Sequence, residues 1–193
     1  MKARVFILSG LLMILGGLAF GGYNIYSDVN ANKTAIHVST LIEENVIVND
    51  NEWEDTYQEA PNMEMPIIEI DGYSYVGKLD IPKLGLSLPV LNESSPSNLR
   101  VAPCRYYGSI YANDMVISAH NYRSHFARIS RLSQHDQIKF TDMDGNEFIY
   151  EVIEIEILKP TDIDLMIHSN YDLTLYTCTV GGASRVTVRC KLL

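Results

Sequence analysis

Between Val5 and Tyr26 the chain carries no charged residue. As a helix rising 1.5 Å per residue, this run reaches about 33 Å, enough to cross the hydrocarbon core of a bilayer. Lys2 and Arg4 precede the run and Asp28 is the first charge after it, so the positive-inside rule predicts an N-terminus in the cytoplasm and everything after about residue 27 outside. A cleaved signal peptide is the alternative, but the run is long and no A-x-A site ends it. The expected organisation is a cytoplasmic N-terminus over 1–4, a membrane anchor over 5–26, an extracytoplasmic stalk over 27–66 and one folded domain over 67–193.

Export constrains the chemistry of that domain. The chain has 24 acidic against 15 basic residues, and two of the basic ones stand ahead of the span. The external part is therefore strongly acidic, with no basic patch interleaved with aromatics, which argues against nucleic acid as a partner. Three cysteines are an odd number, and neither a C-x-x-C pair nor a Cys/His spacing suggests zinc. A free thiol kept in an oxidising compartment invites a functional reading.

From Asn30 to about Pro66 the sequence is polar and acidic. "STLIEENVIV" (Ser39 to Val48) predicts a short helix there with Ser39 as N-cap. From Ile67 on, short β-like runs alternate with turn residues. "YVGKLDI" (Tyr75 to Ile81) and "LSLPVL" (Leu86 to Leu91) bracket the turn "PKLG". "DMVISAH" (Asp114 to His120) is a compact apolar run. "QIKFT" and "FIYEVIEIEIL" flank "DMDGNE", a strong hairpin signal. In "SHFARISRLS" (Ser124 to Ser133), Phe126, Ile129 and Leu132 recur every third residue, which predicts a short helix on the sheet. Seven or eight short strands with many turns favour a closed barrel or sandwich.

The last pair of runs lies in "TLYTCTVGGASRVTVRC" (Thr174 to Cys190). If Gly181-Gly182 is a two-residue turn, opposed residues have numbers summing to 363, so Cys178 faces Arg185 with Cβ atoms about 5 Å apart. Arg189 then opposes Thr174, about 13 Å along the strand, and is expected to be a plain strand-face residue. Alternation sends Val186, Val188, Cys190 and Leu192 to the core side, making Cys190 a small buried hydrophobe. A thiolate is favoured beside a guanidinium, which also suits a developing oxyanion. Among the five histidines, His37 falls in the stalk, and His125, His135 and His168 are expected to be solvated surface residues. His120 ends an apolar strand, where a barrel rim presents side chains on a rigid base. On this pattern alone, a catalytic Cys178, His120 and Arg185 compete with a buried hairpin that carries an incidental thiol.

"TLYTC" followed by an arginine entering the last strand resembles the T-L-x-T-C…R signature of sortases, the membrane-anchored cysteine transpeptidases of Gram-positive cell surfaces. "VGKLDIPKLGLSLPVL" is similar to that family's first two strands, "MVISAHNYRSHFARISRL" to its catalytic-histidine segment and "DQIKFTDMDGNEFIYEV" to the hairpin that follows. The resemblance implies a mainly β fold: a closed eight-stranded sortase-type barrel with one or two short helices, preceded by a transmembrane helix. It implies Cys178 as nucleophile, His120 as acid/base, Arg185 as oxyanion or substrate-positioning residue and Thr177 as support for substrate or oxyanion.

The implied reaction is thiolate attack on the Thr carbonyl of an LPXTG-like sorting signal and transfer of the acyl group to a peptidoglycan precursor amine. No cofactor or metal is implied. Calcium regulates some class A members, but Asp162, Asp164 and Asp172 are too generic to support it here. The short Leu158 to Asp172 connection departs from class B. The lack of a D-P-aromatic lid, and of a C-terminal span after Leu193, departs from class C. A class A, D or E-like enzyme is thereby expected. The competing readings are an inactive, membrane-tethered sortase-like binding module and a thiol hydrolase that uses water instead of an amine.

Overall fold

The computed structural model describes residues 2–45 and 63–193. The acidic run 46–62, expected as part of the stalk, lies outside the described residues. The first element, α1, is one helix of 44 residues, Lys2–Asn45. Its apolar portion leaves Phe6, Leu12 and Phe20 bare, and by length and composition it can cross a membrane.

The helix does not end with that portion. Ala31, Ala35, Val38 and Ile42 are each at most 2% exposed, and their spacing of four, three and four residues lines one helical face against the folded domain. Burying Val38 and Ile42 contributes about 1.5–3 kcal/mol each. The expected short helix with Ser39 as N-cap is therefore corrected, because Ser39 sits inside α1 with its hydroxyl 3.5 Å from the Ser87 carbonyl. Lys78 reaches back to Glu43 at 2.7 Å on the same interface.

Nine strands follow: β1 Ile68–Ile70, β2 Tyr73–Ile81, β3 Leu86–Leu91, β4 Cys104–Tyr107, β5 Met115–Ala119, β6 Gln137–Asp142, β7 Glu147–Leu158, β8 Leu173–Cys178 and β9 Arg185–Leu192. A five-residue helix, α2 Ile163–Ile167, lies between β7 and β8. The sheet runs β1-β2-β3-β4-β5-β8-β9-β7-β6, and β6 pairs back onto β2, so β2 to β9 close into an eight-stranded barrel with β1 appended. All neighbours are antiparallel except β3 with β4 and β5 with β8.

At the β2–β6 seam, a Cβ on Gly77 would stand 2.3 Å from the Phe140 ring and 2.5 Å from the Thr141 carbonyl, so closure needs glycine there. Leu79, Val90, Ile117, Phe140, Leu175 and Val188 fill the interior. Closing the sheet removes its edges, and period-2 alternation supplies the apolar lining.

Two local expectations resolve differently. Residues 124–133 form turns and one 3₁₀ turn, Ile129–Arg131, instead of an α-helix, while Phe126, Ile129 and Leu132 are buried as expected. A strict three-residue repeat matches the 3.0-residue period of a 3₁₀ turn better than 3.6. Between β6 and β7, Asp142 accepts from the backbone N–H groups of Asp144 and Asn146 at 2.9 Å each and from the Tyr111 hydroxyl at 2.8 Å, which holds the expected turn in shape.

Candidate active site

The β8–β9 register pairs Cys178 with Arg185 and Thr174 with Arg189, as the sum of 363 requires. The turn itself is wider than expected. Thr179 N–H donates to Ser184 O at 2.9 Å, and Gly182 N–H closes a β-turn onto Thr179 O at 2.8 Å. Gly181 and Gly182 both have positive φ, +84° and +75°. A four-residue loop over 180–183 is centred on the same point as a two-residue turn at Gly181-Gly182, so the register is preserved.

The third residue arrives from a neighbouring strand. β5 and β8 are parallel and in register through Ala119 and Thr177, and His120 and Cys178 are the next residues on each. Side chains alternate across each strand, and Met115, Ile117, Ala119, Leu173 and Leu175 face the interior. His120 and Cys178 therefore share the outer face at one level, with Arg185 opposite Cys178 on the other side. Strands lie about 4.8 Å apart, which makes a lateral row His120, Cys178, Arg185 with the thiol at its centre. All three side chains are partly exposed.

Beside this row lies a cleft of about 240 Å³, with apolar lining from Tyr106, Tyr176, Ile163 and Met166 and charged lining from Lys159, Asp162 and Arg185. Its far wall is the segment around α2, where Ile163 stays exposed. Arg185 donates to the carbonyls of Gly182 and Ser184, at 3.1 Å each. Burial and the nearby Arg100 charge both hold the His120 imidazole below its usual pKa, which favours its neutral form. Among the described residues, no cluster of three or more His, Cys, Asp or Glu is placed to hold a metal.

A family model described as the sortase domain matches residues 79–193, more than half of the chain. The chain belongs to the sortase family. Sortase D of Bacillus subtilis (strain 168) is 28% identical over 107 residues, covering 53% of this chain and 53% of that protein, so the match spans about half of that relative's length. Sortase A of Bacillus anthracis is 25% identical over 195 residues, covering 92% of this chain and 88% of that one. Sortase A from Corynebacterium diphtheriae shares the fold at a TM-score of 0.57 and 21% identity, over 86% of this chain and 84% of its own. A Clostridium perfringens sortase D5 transpeptidase does so at 0.57 and 22%, over 83% and 96%.

Three side chains of this sortase have surroundings that the sequence pattern does not announce. Thr177 is 2% exposed on the interior face, where its hydroxyl donates to Ala119 O at 2.8 Å. This bond braces the strand ends that carry Cys178 and His120, a role additional to the support of substrate or oxyanion expected of Thr177. Arg189 is no plain strand-face residue. It is 2% exposed, bonds Glu156 at 2.7 Å and Thr174 at 2.9 Å, and donates to the carbonyls of Leu165 (2.6 Å) and Met166 (3.2 Å). It lies on the outer face as alternation requires, but the α2 segment covers that face there.

His125 is the third, and it differs from the solvated surface residue expected. His37, His135 and His168 sit by Asp71, Glu151 and Tyr107, each with some exposure, whereas His125 is fully buried with both ring nitrogens unpartnered. Burial pushes its pKa down to about 4, aided by His120 and opposed by Asp28. The unfolded chain takes up a proton near pH 6.5 that the folded chain refuses until about pH 4. Stability is thus full above 6.5 and falls as pH drops through that window, by up to about 3 kcal/mol. His125→Phe is expected to flatten this dependence in denaturant titrations at pH 7 and 4.5. An unchanged pH slope would show that His125 is not the titrating group.

Tyr122, Arg100 and Tyr106 had no place in the sequence reading. The Tyr122 ring lies 4.9 Å from that of His120, and Tyr106 packs edge-on against Tyr176 at 5.4 Å. Tyr122 lies in an irregular segment, Arg100 in a single 3₁₀ turn and Tyr106 in a strand of four residues, where no periodic signal would have found them.

Proposed function

We propose that this sortase is a cysteine transpeptidase that cleaves an LPXTG-like sorting signal between Thr and Gly and transfers the acyl group to a cell-wall amine. The observation that carries this reading is the lateral row in which Cys178 stands between His120 and Arg185 beside a cleft lined by both apolar and charged side chains. Cys178 attacks the Thr carbonyl, with the thiol proton passing to neutral His120. Arg185 swings from its loop carbonyls toward the oxyanion. The tetrahedral intermediate expels the Gly amine, protonated by His120, and leaves a thioester. An incoming amine gives its proton to His120, attacks that thioester and regenerates the thiol. Thr177 acts through the backbone, and the cleft beside Tyr106 and Ile163 takes the apolar part of the signal.

The remaining assignments follow from α1 and α2. The apolar part of α1 spans the membrane, with the N-terminus in the cytoplasm and the barrel outside. Only the five-residue α2 occupies the β7–β8 connection, which supports a class A, D or E-like enzyme over class B.

Full-length protein in detergent micelles, given an LPXTG-type peptide with and without an added amine, tests the reading. The expected result is a new Thr–amine product that displaces hydrolysis as the amine rises. Hydrolysis unaffected by amine would make the protein a thiol hydrolase. Peptide binding without turnover would make it a binding module.

A further inference from the structure

We propose that Asp28, on the anchor helix, is a positioning residue for His120. This rests on the acid/base role assigned to His120. The segment after β5 has no sheet partner to hold it. It folds on itself, with His125 N–H and Ala127 N–H both donating to Tyr122 O at 3.0 Å and Phe126 N–H donating to His120 O at 3.3 Å. Its Tyr122 ring is tilted 34° to the His120 ring at 4.9 Å and also meets the His125 ring at 5.5 Å. The orientation of the His120 imidazole therefore depends on where this knot of turns sits.

The knot is tied down from outside the barrel. Asp28 Oδ1 accepts both the Ser124 backbone N–H (3.0 Å) and the Ser124 hydroxyl (2.6 Å), across a sequence separation of 96 residues. Asp28 stands two residues beyond the apolar run and continues the helical stripe of Ala31, Ala35, Val38 and Ile42 that packs on the barrel. Helix docking and loop fixation are thus one surface. Two donors converging on one carboxylate oxygen set the loop's position and angle, which a single contact would not. Ser124 lies four positions beyond His120, so the tether acts within about 14 Å of chain from the His120 backbone.

Full-length Asp28→Ala in micelles is expected to lose 10- to 100-fold in kcat while KM stays within about twofold, because no residue of this loop lines the cleft assigned to the peptide but proton transfer is misaligned. Asp28→Asn keeps an oxygen acceptor and is expected to recover most of the turnover. In ¹³C/¹⁵N spectra of labelled histidine, the His120 ring signals should move in Asp28→Ala and return toward the original in Asp28→Asn. Ser124→Ala, which removes one of the two donors, provides a milder variant should Asp28→Ala not fold, and is expected to shift kcat and the His120 signals in the same direction. The double variant should lose no more than Asp28→Ala alone. Unchanged kcat and unchanged His120 signals in the single variants would overturn the proposal. Retention of turnover by His120→Ala would instead overturn the acid/base assignment, while the His120 signals would still report the tether.

Discussion

Cys178→Ala is expected to abolish peptide cleavage, a loss of at least about 10⁴-fold in kcat/KM, because no other group in the lateral row can form the acyl bond. The other two cysteines make the control sharp. Cys104 and Cys190 are both fully buried, and burial pushes their thiols up, Cys104 to about 12. Neither presents a thiolate to substrate at neutral pH. Cys104→Ala and Cys190→Ala should therefore keep most turnover per folded molecule, with some loss of stability from the vacated core volume. Thiol labelling of the folded protein should modify Cys178 first and be slowed by sorting-signal peptide. Substantial turnover by Cys178→Ala would end the covalent reading.

The second large effect falls on stability, at an arginine that alternation alone would leave on the surface. Arg189→Ala strips the donors from Glu156, Thr174 and the carbonyls of Leu165 and Met166. Breaking a buried pair costs about 3–5 kcal/mol, and the lower figure applies because Glu156 is itself 35% exposed. For a domain whose whole stability is about 5–15 kcal/mol, this should lower Tm by roughly 10 °C. Arg185→Ala is expected to do the reverse, leaving Tm within about 2 °C while kcat/KM falls about 10²–10³-fold. Thermal unfolding combined with cleavage normalised to folded protein separates the two arginines. Equal activity losses with equal Tm values would remove the distinction.

How much of this was legible depended on whether the signal was local. The hairpin β8–β9 was, because Cys178 and Arg185 meet across a short loop and only its centre sets the pairing. Strands β2, β3 and β5 to β7 announced themselves by apolar runs between turns. Strand β1 has three residues and β4 has four, too few to show a period. The docking face of α1 was missed because Ala31 and Ala35 weigh little as apolar residues amid Asn, Lys and Thr. The burial of Arg189 was hidden because alternation tells inside from outside of a sheet but not what lies over the outside. The meeting of His120 with Cys178 depends on a parallel pairing, for which no turn stands between the partners to set a register.

That parallel pairing ties chemistry to folding. Ala119 and Thr177 are joined across a sequence separation of 58 residues, and β6 and β7 must be placed elsewhere in the barrel before β8 can lie beside β5. Contacts of such long range form against the full entropy of loop closure and so tend to come late. A chain with only its hairpins formed can already set Cys178 beside Arg185, but it has no proton acceptor in reach. Catalytic competence should consequently recover with the slowest refolding phase, after the gain of strand content, so that turnover reports barrel closure.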